Sequence, residues 1–149
     1  MTIFQALLAD HETQRALSAR LQEKLPVEER QKVFEELKRE LAAHETAEER
    51  CFYVPLFEHD QSVDLSRHAI AEHHEMDEMV EDMDEADPHS AEWQEGLRKL
   101  LAKVEHHLKE EEEKFFPQAG EVLSAEQKED LGRAYQEEFA AMRAKEEAL

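Results

Sequence analysis

The sequence predicts an all-α fold, an up-down-up-down four-helix bundle with an additional C-terminal helix. The composition supports this prediction, because the 149 residues include only 3 glycines and 4 prolines, while the helix-favouring residues Glu, Lys, Leu and Ala dominate. Apolar residues also recur at helical steps of three and four along five stretches of the chain. The length fits a single domain over 1–149, with the bundle at about 2–119 and the C-terminal helix at about 124–147.

Capping residues and prolines mark the ends of the first two predicted helices. Thr2 can cap the first helix, which runs to about Lys24. Pro26 suits the first turn of the second helix, where its missing amide hydrogen is not needed. The second helix continues to about Tyr53 and must end or kink near Pro55.

Similar signals delimit the remaining helices. Ser62 is a suitable cap for the third helix, and the stretch DPHSAEW at 87–93 restarts the chain into the fourth. Pro117 and Gly120 are predicted to close the fourth helix. The stretch SAEQ at 124–127 indicates a capping box that opens the fifth. Helices of similar length joined by short connections are typical of an up-down-up-down bundle.

The charge balance restricts the classes of partner. The formal net charge is −20, from 38 acidic and 18 basic residues, so neither nucleic acid nor an anionic membrane is expected to bind. The acidic runs EHHEMDEMVEDMDEAD and KEEEEK are interpreted as solvated faces, with only Glu111 of the second turned inward.

No signal peptide or long apolar run is recognised, which predicts a cytoplasmic location. The single cysteine, Cys51, excludes an internal disulfide, and its role is left open.

Each of the first four predicted helices carries one histidine on its inward-facing stripe, and the second and fourth add a glutamate one turn later. These six residues are His11, His44, Glu48, His73, His107 and Glu111. At a rise of about 1.5 Å per residue, counted from the prolines between helices, the histidines can share one layer. Buried ionisable groups are costly unless they are paired. Four imidazoles and two carboxylates suit a pair of transition metal ions, most naturally iron, with the carboxylates as bridges.

The histidines are also compatible with other interpretations. A histidine on an apolar stripe is often an ordinary core residue, so a bundle without metal is an alternative. The HxxxE spacing is weak by itself, because it recurs at His68, His74 and His106, which with His59 and His89 are assigned to surface or loop positions. A ferritin-like site needs Glu three residues before His, and no histidine here has one. The stretches HETAE and HEMDE lack the second histidine of a zinc-protease motif.

These segments resemble the hemerythrin-like, or HHE cation-binding, family. The resemblance is carried by ADHE around His11, by HETAEE followed by FYVPLF, by AEHHEM around His73, and by HHLKEEEEKFFP. It covers nearly the whole chain. It implies a four-helix bundle around two non-heme iron ions with an oxo or hydroxo bridge. The four stripe histidines would be terminal ligands and the two glutamates would be bridges.

The sequence departs from the hemerythrins that carry oxygen, which use a fifth histidine one turn from the helix-three ligand. This chain has Ala69 and Asp77 at those positions. The site is therefore expected to have an open position, or to be completed by Glu45, Asp77 or solvent. The leading hypothesis is a soluble di-iron protein that binds or reacts with a small diatomic or peroxidic ligand, O2, NO or peroxide. The alternative is a non-catalytic iron sensor, an iron store or an oxygen-binding protein, since a fold does not choose among functions.

Overall fold

The computed structural model describes residues 1–149, which form five long helices and no strand. The helices are α1 (Ile3–Leu21), α2 (Val27–Glu48), α3 (Val63–Glu85), α4 (Ala91–Glu110) and α5 (Ala125–Ala148). The prediction of an all-α fold is thereby confirmed. None of the helices combines the length and the apolar character that crossing a bilayer requires.

Helices α2 and α4 each continue beyond their regular part through a wider π-helical turn and a short further helix. The added segments are Glu49–Tyr53 and Val54–Leu56 after α2, and Glu111–Phe115 and Phe116–Val122 after α4. Pro55 and Pro117 lie just after these turns. A proline cannot donate to the carbonyl four residues earlier and its ring crowds that carbonyl, so a widened turn lets the helix pass it. The prediction that Pro117 and Gly120 close the fourth helix is therefore wrong.

The predicted caps agree with the structure at most helix starts. Thr2 and Ser124 each form a capping box with the glutamine three residues later. The Ser90 hydroxyl oxygen accepts a hydrogen bond from the first turn of α4. Ser62 precedes α3 as predicted, but it does not cap the helix. Its hydroxyl instead donates to the carbonyl of Leu56 at 2.6 Å and fastens the preceding turn.

Two apolar clusters fill the interior on either side of a polar layer. The first cluster includes Phe52 and Phe116, and the second includes Phe34 and Trp93. On each of α1 to α3, the inward-facing histidine separates residues of one cluster from residues of the other. On α4 the second cluster extends to Leu108, and the first begins beyond the helix at Phe115. The polar groups are thus confined to one level, enclosed by apolar side chains above and below.

Helix α5 lies against α1 and α2 and contributes Tyr135 to the first apolar cluster. Its approach to the N-terminus is close at Gly132. A Cβ atom there would lie 2.7 Å from the carbonyl carbon of Thr2 and nearer still to the carbonyl oxygen of Met1. The absence of a side chain at Gly132 therefore lets α5 reach the level of the polar layer.

Candidate metal centre

The six stripe residues come together in one buried layer. Each is at most 2% exposed: His11, His44, Glu48, His73, His107 and Glu111. Their donor atoms form two groups, each within 4.8 Å. One group is His11, His44, Glu48 and Glu111, and the other is His73, His107, Glu48 and Glu111. Each group has its own two imidazoles, and both share the same two carboxylates. This is the arrangement that two neighbouring cations with bridging carboxylates require.

The two oxygens of Glu48 face different groups. The Nε2 atom of His44 lies 3.5 Å from Glu48 Oε2, and the Nε2 atom of His73 lies 3.1 Å from Glu48 Oε1. One oxygen of this carboxylate is thus directed to each pair of histidines. Glu48 thus faces both donor groups at once.

Glu111 is arranged differently. Its Oε1 atom faces His11 Nε2 at 3.1 Å and His107 Nε2 at 3.4 Å. Its Oε2 atom accepts a hydrogen bond from the hydroxyl of Tyr53. A single oxygen of Glu111 therefore serves both groups, while the second oxygen is held by the phenol.

Several inward-facing atoms have no hydrogen-bond partner. They are Nε2 of His11 and His44, both carboxylate oxygens of Glu48, and Oε1 of Glu111. A buried polar atom left unsatisfied costs about 1–3 kcal/mol. These nitrogen and oxygen donors converge on one small volume, and transition metal ions accept such a donor set. The residues present therefore fit a metal centre.

Each of the four histidines is also held from outside the layer through its Nδ1 atom. The partners are Glu112 Oε2 for His11 at 2.7 Å, Tyr135 Oη for His44 at 2.6 Å, Glu49 Oε1 for His73 at 3.1 Å, and Glu72 Oε1 for His107 at 2.9 Å. A neutral imidazole that donates through Nδ1 presents the lone pair of Nε2 inward. Outer acceptors of this kind fix the tautomer and the orientation of metal-binding histidines.

The partner of His44 comes from the C-terminal helix. The hydroxyl oxygen of Tyr135 accepts from Nδ1 of His44, and its hydrogen is donated to the carboxylate of Asp10 on α1. The three groups form a continuous chain, in which each hydrogen bond polarises the next. Helix α5, which the sequence analysis gave no part in the site, therefore orients one of the candidate ligands.

Sequence reasoning missed the outer acceptors. The acidic runs were interpreted as solvated, yet Glu72 is 2% exposed and accepts from His107, and Glu112 accepts from His11. A signal for two of them was present, since Glu49 and Glu112 directly follow the two glutamates of the layer. Because a residue next to a buried helical position is rotated by about 100°, it can meet a neighbouring helix instead of solvent.

Glu45 and Asp77 are the two acidic residues that the sequence offers to complete the site. Neither belongs to a donor group. Glu45 is buried, and burial, together with the nearby carboxylate of Asp77, raises the pKa of Glu45 well above its ordinary value. A carboxyl group that burial keeps protonated is a poor metal ligand. The histidines at 68, 74, 89 and 106 are exposed and that at 59 is half-buried, as predicted.

The shared carboxylates alter the protonation of the imidazoles that face them. Burial alone would lower the pKa of His44, but the surrounding carboxylates, Glu48 first among them, together outweigh burial and raise the pKa to about 10. Burial likewise lowers the pKa of His107, and the carboxylates around it, Glu111 first, together raise it to about 10. In the metal-free protein both rings are therefore positively charged imidazolium groups at neutral pH, and they balance the negative charge of the carboxylates.

Metal loading at neutral pH should consequently release protons. A coordinating Nε2 must first lose its proton, so His44 and His107 should contribute about two protons per chain. Affinity should rise with pH up to about pH 10 and level off above it, where both rings have lost the competing proton. Calorimetry in two buffers of different ionisation enthalpy measures the proton count. Loading without proton release would contradict the role of these rings as ligands.

Tyr135→Phe should weaken metal binding without unfolding the chain. Loss of an outer partner typically costs about 10- to 100-fold in metal affinity. Asp10 Oδ2 lies 3.6 Å from Nδ1 of His44 and can take over part of the role, so we expect a loss near tenfold. The rate at which a chelator removes the metal measures it. Glu137→Gln, at an exposed position of the same helix, is the matched control. Equal rates of metal removal from the wild type, Tyr135→Phe and Glu137→Gln would exclude an orienting role for Tyr135.

Comparison with known proteins places these features in a family. The Hemerythrin HHE cation binding domain family matches residues 2–119, so Tyr135 lies beyond the matched region. A solved structure of a hemerythrin HHE cation binding domain-containing protein from Mycobacterium kansasii superposes with a TM-score of 0.87 at 24% identity, covering 97% of this chain and 89% of that chain. No protein of curated function matches. At that identity the structural likeness shows the fold, while the family match spans most of the sequence. The chain belongs to the Hemerythrin HHE cation binding domain family.

Proposed function

We propose that the buried layer holds two iron ions. One ion would be held by His11 and His44, the other by His73 and His107, with Glu48 and Glu111 shared between them. The two overlapping donor groups with common carboxylates carry this proposal. In it, α1 to α4 form the up-down-up-down bundle that surrounds the ions, and α5 packs along the bundle and supports one ligand.

The donor types favour iron over other common metals. Magnesium and calcium take oxygen-only sites, and structural zinc sites are usually single and rich in cysteine. The layer mixes imidazole with carboxylate, and the only cysteine, Cys51, is not among the donors. Each group offers four residues, fewer than fill an octahedron, which leaves room for an outside ligand. When bound, iron supplies redox chemistry and a position at which such a ligand can coordinate.

The surroundings of the layer select a small ligand. The ring of His11 stacks on Phe116 with centroids 5.7 Å apart, and the six donor residues are almost fully buried. Tyr53 is also buried, and burial together with the charge of Glu111 raises the pKa of its hydroxyl well above the ordinary value. Tyr53 therefore stays protonated and can donate a hydrogen bond within the layer. A diatomic or peroxidic ligand is of the right size for this environment.

The proposed function also includes an expectation about larger partners. The net charge of −20 should repel nucleic acid and anionic membranes, so the physiological ligand is proposed to be a small molecule. If the protein acts as a sensor, its protein partners would recognise the metal-loaded form of the chain.

Turnover by the iron-loaded protein tests the proposal. O2, NO and peroxide are each added in excess, and their consumption is followed over many equivalents of protein. We expect binding or consumption by the loaded protein and none by metal-free protein. Binding without consumption would favour an oxygen-binding protein. Iron uptake with neither binding nor consumption would favour the alternative of an iron sensor or store.

A further inference from the structure

A second pair of HxxxE sequences lies on the surface between α3 and α4. His68 and Glu72 are one turn apart on α3, and His106 and Glu110 are one turn apart on α4. The i, i+4 spacing places each imidazole beside its carboxylate on one helix face. We propose that these four side chains form a second, solvent-facing site for a divalent transition cation such as Zn²⁺ or Fe²⁺.

The four side chains converge across the two helices. Donor atoms of His68, Glu72 and Glu110 lie within 4.8 Å of one another. The Nε2 atom of His68 is 2.7 Å from Glu110 Oε1 and 3.6 Å from Glu72 Oε1. The Nε2 atom of His106 is 3.6 Å from the Oε2 atom of each of the same two glutamates. Both imidazoles therefore face the same pair of carboxylates, one carboxylate from each helix.

The site is deep at the carboxylates and open at the imidazoles. The side chains of Glu72 and Glu110 are 3% and 14% exposed, whereas those of His68 and His106 are 54% and 59% exposed. Charges at the shielded base attract a cation more strongly than charges in bulk water. The exposed rings can reorient to complete the coordination, and a cation can enter directly from solvent.

The chain already satisfies part of this charge with Lys103. Its Nζ atom lies 3.2 Å from Glu72 Oε2 and 2.7 Å from Glu75 Oε2. A divalent cation on Glu72 would compete with Lys103, which retains Glu75 as its partner. Mixed imidazole and carboxylate donors discriminate against Mg²⁺ and Ca²⁺ in favour of the first-row transition ions.

Glu72 connects the outer site with the buried layer. Its Oε1 atom accepts from Nδ1 of His107 at 2.9 Å, and its Oε2 atom faces His106. A cation bound outside would draw charge from this carboxylate and weaken its hold on His107. No donor of the outer site belongs to the six residues of the buried layer, so the outer site can be tested whether or not the layer binds iron.

Zinc binding to iron-loaded protein tests the outer site, with excess Mg²⁺ present to occupy non-specific acidic surface. The wild type should bind one more Zn²⁺ per chain than the double variant His68→Ala/His106→Ala, at equal iron content. Loss of the two imidazoles should weaken zinc affinity by at least about tenfold. The control His74→Ala/His89→Ala removes two other exposed histidines and should bind zinc like the wild type.

Anomalous scattering from zinc-soaked crystals then locates the ion. A peak between His68 and His106 is expected. Equal zinc affinity in the wild type and the His68→Ala/His106→Ala variant, or a peak elsewhere on the surface, would overturn the proposal. Iron is counted separately, so a chain that takes up no iron but binds zinc through these histidines would reject the proposed function and retain the outer site.

Discussion

His107→Ala should empty the metal centre, whereas His106→Ala should leave it filled. His107 is 2% exposed and directs Nε2 at Glu111 from 3.4 Å. His106 is rotated by about 100° on the same helix and its side chain is 59% exposed. Removing His107 takes one of only two imidazoles from its donor group and leaves Glu111 facing an incomplete set. We expect iron affinity to fall by more than about 100-fold, beyond the loss that outer partners cause.

Iron analysis and near-ultraviolet charge-transfer absorption of the two variants, purified side by side, measure this contrast. The same contrast should hold for His73 against His74, which is exposed. His106→Ala should affect only the outer zinc site. If His106→Ala lost the iron while His107→Ala kept it, the helical register assigned to α4 would be wrong and Glu110 would replace Glu111 as the bridge.

Removal of the metal should lower the melting temperature substantially. Binding to the folded state alone, at a free concentration about a thousandfold above Kd, stabilises a protein by about 4 kcal/mol. For a chain of this size that corresponds to a rise of about 8 to 16 °C. The metal-free layer also keeps unpaired polar atoms at Glu48 and Glu111. Thermal unfolding followed by circular dichroism, with and without iron, measures the difference.

The His107→Ala variant provides the control for this stability effect. It should unfold at nearly the same temperature with and without iron, because it no longer holds the metal tightly. The outer-site variant His68→Ala/His106→Ala should keep the full stabilisation by iron. Superimposable unfolding curves for metal-free and loaded wild type would contradict a shared buried site.

The sequence alone was sufficient to bring the six side chains of the buried layer together, because the inward position of each is a property of a single helix. His44 and Glu48 lie on one stripe of α2, and that stripe is visible in the spacing of its apolar neighbours. The orienting role of Tyr135 could not be found in this way. It depends on the rotation of α5 against α2 and on the close approach at Gly132, which no single helix encodes.

One wrong prediction and one omission have the same origin, which is packing between helices. A proline disrupts regular hydrogen bonding, so Pro117 predicts the end of the fourth helix, yet Phe115 and Phe116 at the end of the π-helical turn are buried in the core and hold the chain in helical form. The exposure of His68 and His106 was foreseen correctly. Their convergence on two shared carboxylates becomes visible only when α3 and α4 are packed together.

The count of iron ions on protein purified without chelators tests most directly whether one layer of six side chains holds two ions. Elemental analysis gives the stoichiometry, and X-ray absorption at the iron edge gives the neighbours of the metal. We expect about two irons per chain, with nitrogen and oxygen neighbours and iron in the second shell. A folded protein that takes up no iron, or one that binds iron equally well after Glu48→Ala/Glu111→Ala, would contradict the shared centre.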